Sequence, residues 1–144
     1  MHPELEGTAA VRSASTQLLR FVAAGSACTL LQYLVLVLGV ELAGADALLA
    51  SGTGYLAGAV LNYVLNRRYT FGGSAAHRTA VVRFGVVVAS GLALNLAGMR
   101  LLHGHLRWHY LYAQVLVTLL VLLWNFAWHR QWTFAAPVRH TPGN

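Results

Sequence analysis

The chain has 144 residues, of which 57% are hydrophobic and only 10% are charged. A soluble domain has about 25% charged residues, so this composition excludes an ordinary water-soluble globule, and its apolar content excludes an intrinsically disordered chain. Arginines alone supply the ten basic residues, which with four acidic residues give a formal net charge of +6. The single cysteine, Cys28, excludes an internal disulfide framework and a multi-cysteine metal site.

Four uncharged runs follow one another along the chain. They are Phe21–Val40, Ala47–Leu65, Phe84–Met99 (which Leu101 and Leu102 extend) and Trp108–Trp128. A membrane-spanning helix needs about 17–25 mostly apolar residues, and these runs lack the alternating polarity of a transmembrane β-barrel. The pattern predicts an all-α membrane protein with four transmembrane helices, flanked by polar tails at residues 1–17 and 135–144.

An internal repeat relates the two halves of the sequence at a constant offset of 63 residues. The matching positions are Arg20-Phe21 with Arg83-Phe84, Gln32 with Asn95, and Asn62 with Asn125. A single shift without gaps aligns both ends and the middle, which predicts a duplicated helical hairpin with repeats at residues 20–71 and 83–134. Two helices per repeat bring both copies into the membrane from the same side, so the repeat is parallel.

The most specific motif closes each repeat. Residues 62–71 read Asn-Tyr-Val-Leu-Asn-Arg-Arg-Tyr-Thr-Phe, and residues 125–134 read Asn-Phe-Ala-Trp-His-Arg-Gln-Trp-Thr-Phe. With the repeated Arg-Phe opening, this pattern resembles the GtrA-like family over residues 18–134, although His129 replaces the second asparagine and Gln131 follows Arg130. The resemblance implies a small four-helix inner-membrane protein of bacterial cell-surface polysaccharide synthesis. It also implies either movement of polyprenyl-phosphate-linked sugars across the membrane or assistance to the glycosyltransferases that make or use them.

Polar residues in or beside the apolar runs are the candidate binding residues. An asparagine in hydrocarbon costs free energy unless it faces protein or a wet cavity, so these side chains either bind sugar hydroxyls or join helices by hydrogen bonds. An arginine at the membrane surface either binds the lipid phosphate through its guanidinium fork or anchors the topology. The candidate substrate-binding residues are Asn62, Asn66, Arg67, Arg68, Asn125, Arg130, Arg20, Arg83, Gln32 and Asn95.

Other patterns have structural interpretations. The stripes Gly54-x-x-x-Gly58 and Gly85-x-x-x-Ala89-x-x-x-Ala93 predict close helix packing, within the chain or between copies. His103, His105 and His109 match no strong metal-site spacing, so no metal or other cofactor is expected. The sequence has no Ser-His-Asp set, glycine-rich phosphate loop or paired carboxylates, which favours a protein that is not an enzyme. No nucleic-acid partner is expected.

Three functions remain to be separated. The first is a flippase, or flippase component, for polyprenyl-phosphate-linked sugar; the small size of four helices favours a homodimer. The second is a membrane anchor that recruits a polyprenyl-phosphate glycosyltransferase. The third, a small multidrug-type exporter, is disfavoured because its proton-coupling glutamate would lie in the first helix, and Phe21–Val40 contains none. In each case membrane lipids surround the protein.

We expect both termini to lie in the cytoplasm, because eight of the ten arginines flank that side of the predicted spans. Reporter fusions at Asn144 and near Ala45 test this orientation. Alkaline phosphatase should be active near Ala45 and inactive at Asn144, and the reverse pattern would refute the predicted topology.

Overall fold

The computed structural model describes the backbone of residues 3–70 and 77–133, and the side chains of residues 15–16, 19–20, 22–65, 67–68 and 81–128. Its helices are α1 (Pro3–Glu41), α2 (Ala47–Thr70), α3 (His77–Met99) and α4 (Tyr110–Thr133). A π-helical turn, Arg100–His105, follows α3 directly. Within these described residues, four helices are long and apolar enough to cross a membrane, which confirms the predicted fold class.

The helices extend beyond the uncharged runs. α1 begins at Pro3, so most of the predicted polar tail continues the first spanning helix. Proline suits the first helical position because its missing N–H would have had no partner there. α2 and α4 continue to Thr70 and Thr133, past their arginines, because polar residues outside hydrocarbon can continue a helix that apolar residues have begun. The predicted tail at 135–144 lies outside the described residues.

The chain divides into two compact units, Met1–His77 and Arg78–Asn144. The first unit pairs α1 with α2. In the second, side chains of α4 contact α3 at Gly98, Asn95 and Ser90. Each unit is therefore a helical hairpin.

Glycine permits the close approach of α1 and α2. A Cβ atom added at Gly54 would lie 2.5 Å from the carbonyl oxygen of Gln32, and one at Gly58 would lie 2.9 Å from that of Cys28. Real Cβ atoms do not approach other atoms so closely, so the backbone of α1 occupies the space of the missing side chains. The predicted packing role of the Gly54-x-x-x-Gly58 stripe is confirmed.

The second hairpin packs through a different glycine from those predicted. A Cβ atom at Gly98 would lie 2.7 Å from Cγ2 of Val117 on α4, whereas one at Gly85 would meet nothing within 4 Å. Ala89 and Ala93 are also exposed, so this stripe does not pack α3 against α4, and packing between copies of the chain stays a prediction. The reason is the turn of the α-helix, which rotates successive residues by about 100°. Asn95 faces α4, and Ala93 lies about 200° around the helix from it, on the opposite face.

The buried positions of the two hairpins coincide at the 63-residue offset. Seven pairs of buried residues obey it: Gln32 and Asn95, Leu36 and Met99, Ala47 and Tyr110, Ala50 and Ala113, Ser51 and Gln114, Gly54 and Val117, Gly58 and Val121. The same faces of the corresponding helices are therefore packed in each unit, although most of the paired residues differ in type.

The connections within the two hairpins also match in backbone conformation at the 63-residue offset. Gly44 has φ of 60° and Arg107 has φ of 58°. Asp46 Oδ1 accepts hydrogen bonds from the backbone N–H groups of Leu48 (2.9 Å) and Leu49 (3.3 Å), which caps the start of α2. His109, its counterpart, accepts a bond from Leu111 N–H at 3.4 Å through Nδ1 and caps α4.

Replacing Gly54 by alanine should destabilise the first hairpin by about 1–3 kcal/mol, because the added methyl group would overlap the backbone of α1. Gly25→Ala is the matched control, since a Cβ atom at this α1 position meets nothing within 4 Å. Alanine is the better helix former, so the control should be unchanged or slightly stabilised. Thermal unfolding in detergent measures both variants, and equal stability of the two would contradict the close packing.

Candidate functional site

Each hairpin has a pair of buried polar side chains, Gln32 and Ser51 in the first and Asn95 and Gln114 in the second, which we call its first polar level. Ser51, Asn95 and Gln114 are fully buried and Gln32 is 9% exposed. In the second hairpin, Gln114 Nε2 donates a hydrogen bond to Asn95 Oδ1 at 3.0 Å and lies 3.3 Å from Thr118 Oγ1. The first of these bonds joins α3 to α4, and the second lies within α4.

These levels include two of the predicted substrate-binding residues, Gln32 and Asn95. Asn95 is enclosed within its own hairpin and bonded to a neighbouring helix, which is the arrangement of a packing residue. Sequence reasoning missed Ser51 and Gln114, the other members. The 63-residue offset relates these two residues to each other, just as it relates Gln32 to Asn95, and Gln114 is one of two amides in the fourth apolar run.

Each hairpin also has a second polar level, a half-buried asparagine, which is Asn62 in the first and Asn125 in the second. Asn62 lies 11 residues after Ser51 on α2, and Asn125 lies 11 residues after Gln114 on α4. The interval corresponds to about 16.5 Å along each helix. Asn125 Oδ1 is buried and has no hydrogen-bond partner among the described residues. A buried acceptor without a donor costs about 1–3 kcal/mol.

Aromatic residues fix the turn of α4 that carries Asn125. Trp124 Nε1 donates a hydrogen bond to Ser90 Oγ on α3 at 3.2 Å, and Ser90 Oγ in turn donates to the carbonyl of Val87 at 2.9 Å. The rings of Trp124 and Trp128 meet edge to face with centroids 6.1 Å apart. The asparagine therefore lies beside a fixed contact between helices.

The predicted arginines lie at the hairpin ends opposite the connections. Arg20, Arg67, Arg68 and Arg83 are exposed. Arg67 and Arg68 occupy the last turn of α2, where positive charge interacts favourably with the helix dipole. Asn66 and Arg130 belong to α2 and α4, but their side chains lie outside the described residues.

Two histidines of the second connection, His103 and His109, have structural partners. His103 Nδ1 donates to the Trp108 carbonyl at 2.8 Å, and His109 caps α4. The residues that the structure describes contain no group of three potential metal ligands.

These observations define a multi-pass membrane protein made of helical hairpins, each with a half-buried asparagine and at least one exposed arginine towards the end opposite its connection. The chain belongs to the GtrA/DPMS transmembrane domain family, whose model matches residues 20–134. Membership supports a role in membrane-associated polysaccharide or glycolipid synthesis. Neither the curated proteins nor the solved structures include a match to the chain.

Asn95→Leu should destabilise the second hairpin by about 1–3 kcal/mol, because it leaves Gln114 buried without its amide partner. Adding Gln114→Leu should restore much of the stability, since replacing both partners by apolar groups removes the unsatisfied amide. Unfolding of the single and double variants in detergent gives the coupling between them. Additive losses would refute the inferred pairing of these side chains.

Proposed function

We propose that this protein moves polyprenyl-phosphate-linked sugar across the inner membrane, or forms part of that step, during cell-surface polysaccharide synthesis. Family membership supports the coarser role in polysaccharide or glycolipid synthesis. The observation that carries the finer proposal is the buried Asn125 Oδ1, which lacks a donor among the described residues. A sugar hydroxyl is a donor that would satisfy this oxygen.

The spacing of asparagine and arginine fits a phosphorylated sugar. Arg67 follows Asn62 by five residues, and Arg130 follows Asn125 by the same interval, about 7.5 Å along each helix. A ring bonded to the asparagine would bring its phosphate towards the arginine at the helix end, while the polyprenyl chain remains in the bilayer. The exposed guanidinium groups of Arg67 and Arg68 are accessible to a headgroup at that depth.

The energy source we propose is the consumption of the lipid-linked sugar on the far side. The only acidic residues of the sequence are Glu4, Glu6, Glu41 and Asp46, and none lies inside an uncharged run. Only Glu41 belongs to a membrane span among the described residues, and it is the last residue of that span. Proton coupling through a carboxylate deep in the membrane therefore has no candidate residue. The protein in this proposal binds and reorients its substrate without catalysing a reaction. Both termini face the cytoplasm in this proposal.

Reconstitution of the purified protein into vesicles tests translocation directly. Vesicles that contain a fluorescent polyprenyl-phosphate-linked sugar should show protein-dependent movement of the probe to the opposite leaflet. Vesicles with a fluorescent phosphatidylcholine provide the control for general lipid scrambling. Absence of sugar-lipid movement in correctly inserted protein would favour recruitment of a glycosyltransferase instead.

Asn125→Leu should abolish movement of the sugar lipid without destabilising the protein, because it removes a buried oxygen that has no partner among the described residues. Phe126→Leu is the matched control, since this neighbouring side chain is 67% exposed. Transport and thermal unfolding are measured on the same preparations. Wild-type transport by the Asn125→Leu variant would remove Asn125 from the proposed site. The same assay with Asn62→Leu tests the equivalent residue on α2.

The Arg67→Lys, Arg130→Lys double variant should insert and orient normally but transport the sugar lipid poorly. Lysine keeps the positive charge that sets topology but lacks the planar fork that binds phosphate through two bonds. Reporter fusions give the orientation and the vesicle assay gives transport. A correctly oriented variant with wild-type transport would show that these arginines serve topology alone.

A further inference from the structure

The two halves of the chain differ sharply in charge. Residues 1–77 contain four arginines and all four acidic residues, whereas residues 78–144 contain six arginines and no aspartate or glutamate. The arginines of the second half therefore have no carboxylate side chain within their own unit.

Two of these arginines lie in the connection between α3 and α4, at the end of the second hairpin opposite Arg83. Arg100 and Arg107 are both exposed, as are His105 and His109. We refer to residues 100–109 as the basic turn. At the equivalent positions the first hairpin has Val37 and Gly44 in place of the arginines, and its connection is flanked by Glu41 and Asp46.

Hydrogen bonds hold the basic turn in a defined shape. The backbone N–H of Leu106 donates to the Leu101 carbonyl at 3.0 Å, and that of Trp108 donates to the Leu102 carbonyl at 3.0 Å. His103 Nδ1 adds a bond to the carbonyl of Trp108. Because the residues on both sides of Arg107 are tied back to 101 and 102, Arg107 is brought near the residues that follow Arg100.

The backbone at Arg107 is the second indication of a role for this turn. Its φ of 58° lies in the left-handed region, which is unfavourable for a residue with a side chain. Gly44 adopts the same conformation in the first hairpin with φ of 60° and without that strain. The second hairpin therefore carries a guanidinium group at a position where glycine fits the same backbone.

Apolar side chains beside these arginines indicate what kind of anion they bind. Leu101 and Leu106 are each 55% exposed, and Trp108 is 46% exposed. Tryptophan is enriched at membrane interfaces, where its ring lies at the level of the headgroups. A turn that presents arginines beside exposed leucines suits an amphipathic anion with acyl chains better than a soluble one.

We propose that the basic turn binds the phosphate headgroup of an anionic membrane phospholipid. Arg100 and Arg107 contact the phosphate, while Leu101, Leu106 and Trp108 contact the upper part of the acyl chains. This site lies at the end of the second hairpin opposite the proposed sugar-lipid residues. It does not depend on translocation by the protein.

Native mass spectrometry of the full chain in a neutral detergent tests the site, with phosphatidylglycerol as the probe and phosphatidylcholine as the uncharged comparison. The Arg100→Gln, Arg107→Gly variant should lose affinity for phosphatidylglycerol by about fivefold for each arginine. Binding of phosphatidylcholine should not change. The single variant Arg107→Gly should lose affinity while unfolding at a temperature at least as high as wild type, since glycine relieves the left-handed strain.

The charge-matched control is Arg12→Gln, Arg139→Gln, which removes two arginines that belong to neither proposed site. Its affinity for phosphatidylglycerol should remain within about twofold of wild type. An equal loss in both double variants would show a general charge effect and overturn the proposal. Displacement of the lipid by millimolar inorganic phosphate would indicate a soluble-anion site and would also overturn it, as would unchanged lipid affinity in both variants of the basic turn.

Discussion

A side-chain amide that is buried in hydrocarbon has no water to bond, so it must find its partner on a neighbouring helix. In the second hairpin Gln114 and Asn95 meet this requirement at 3.0 Å, and their bond requires one rotational setting of α3 against α4. Glycine then permits the contact distance, with Gly98 against Val117 in that hairpin and Gly54 against Gln32 in the other. The rotation and the spacing of the paired helices together determine which helix faces are covered, and the other polar and charged residues take their positions from them.

The separation of the polar residues into two levels follows from the same constraint. Near the connections, polar side chains are enclosed between helices and serve packing. About three turns farther along, Asn125 is held beside the Trp124–Ser90 contact with its oxygen buried and unbonded within the described part of the chain. A hairpin whose packing is already satisfied at one end can leave a polar atom at the other end available for a ligand.

Much of this fold could be predicted from the sequence because uncharged runs and a gapless repeat are strong signals in a membrane protein. The offset of 63 residues also relates the buried positions, although the paired residues often differ, as with Ser51 and Gln114. What the sequence could not decide was which polar residue faces a partner: Asn95 and Asn125 are both asparagines in apolar runs, and only the rotational setting of their helices distinguishes them. The stripe containing Gly85 shows the same limit, since small residues on a helix do not reveal whether that face meets the partner helix or another copy. The role of His109 as a helix cap was likewise hidden, because histidine is an unusual substitute for Asp46.

The alternating location of the glycines has a consequence for how the helices choose their neighbours during insertion. Gly98 on α3 corresponds by the offset to Val35 on α1, while Val117 on α4 corresponds to Gly54 on α2. A mispaired hairpin of α1 with α4 would set valine opposite valine, and one of α3 with α2 would set glycine opposite glycine. The first combination holds the backbones apart, and the second leaves a gap between them. Two identical copies of one hairpin could swap helices with each other freely. Because glycine and valine have traded places between the two copies, each helix fits best against the partner from its own hairpin.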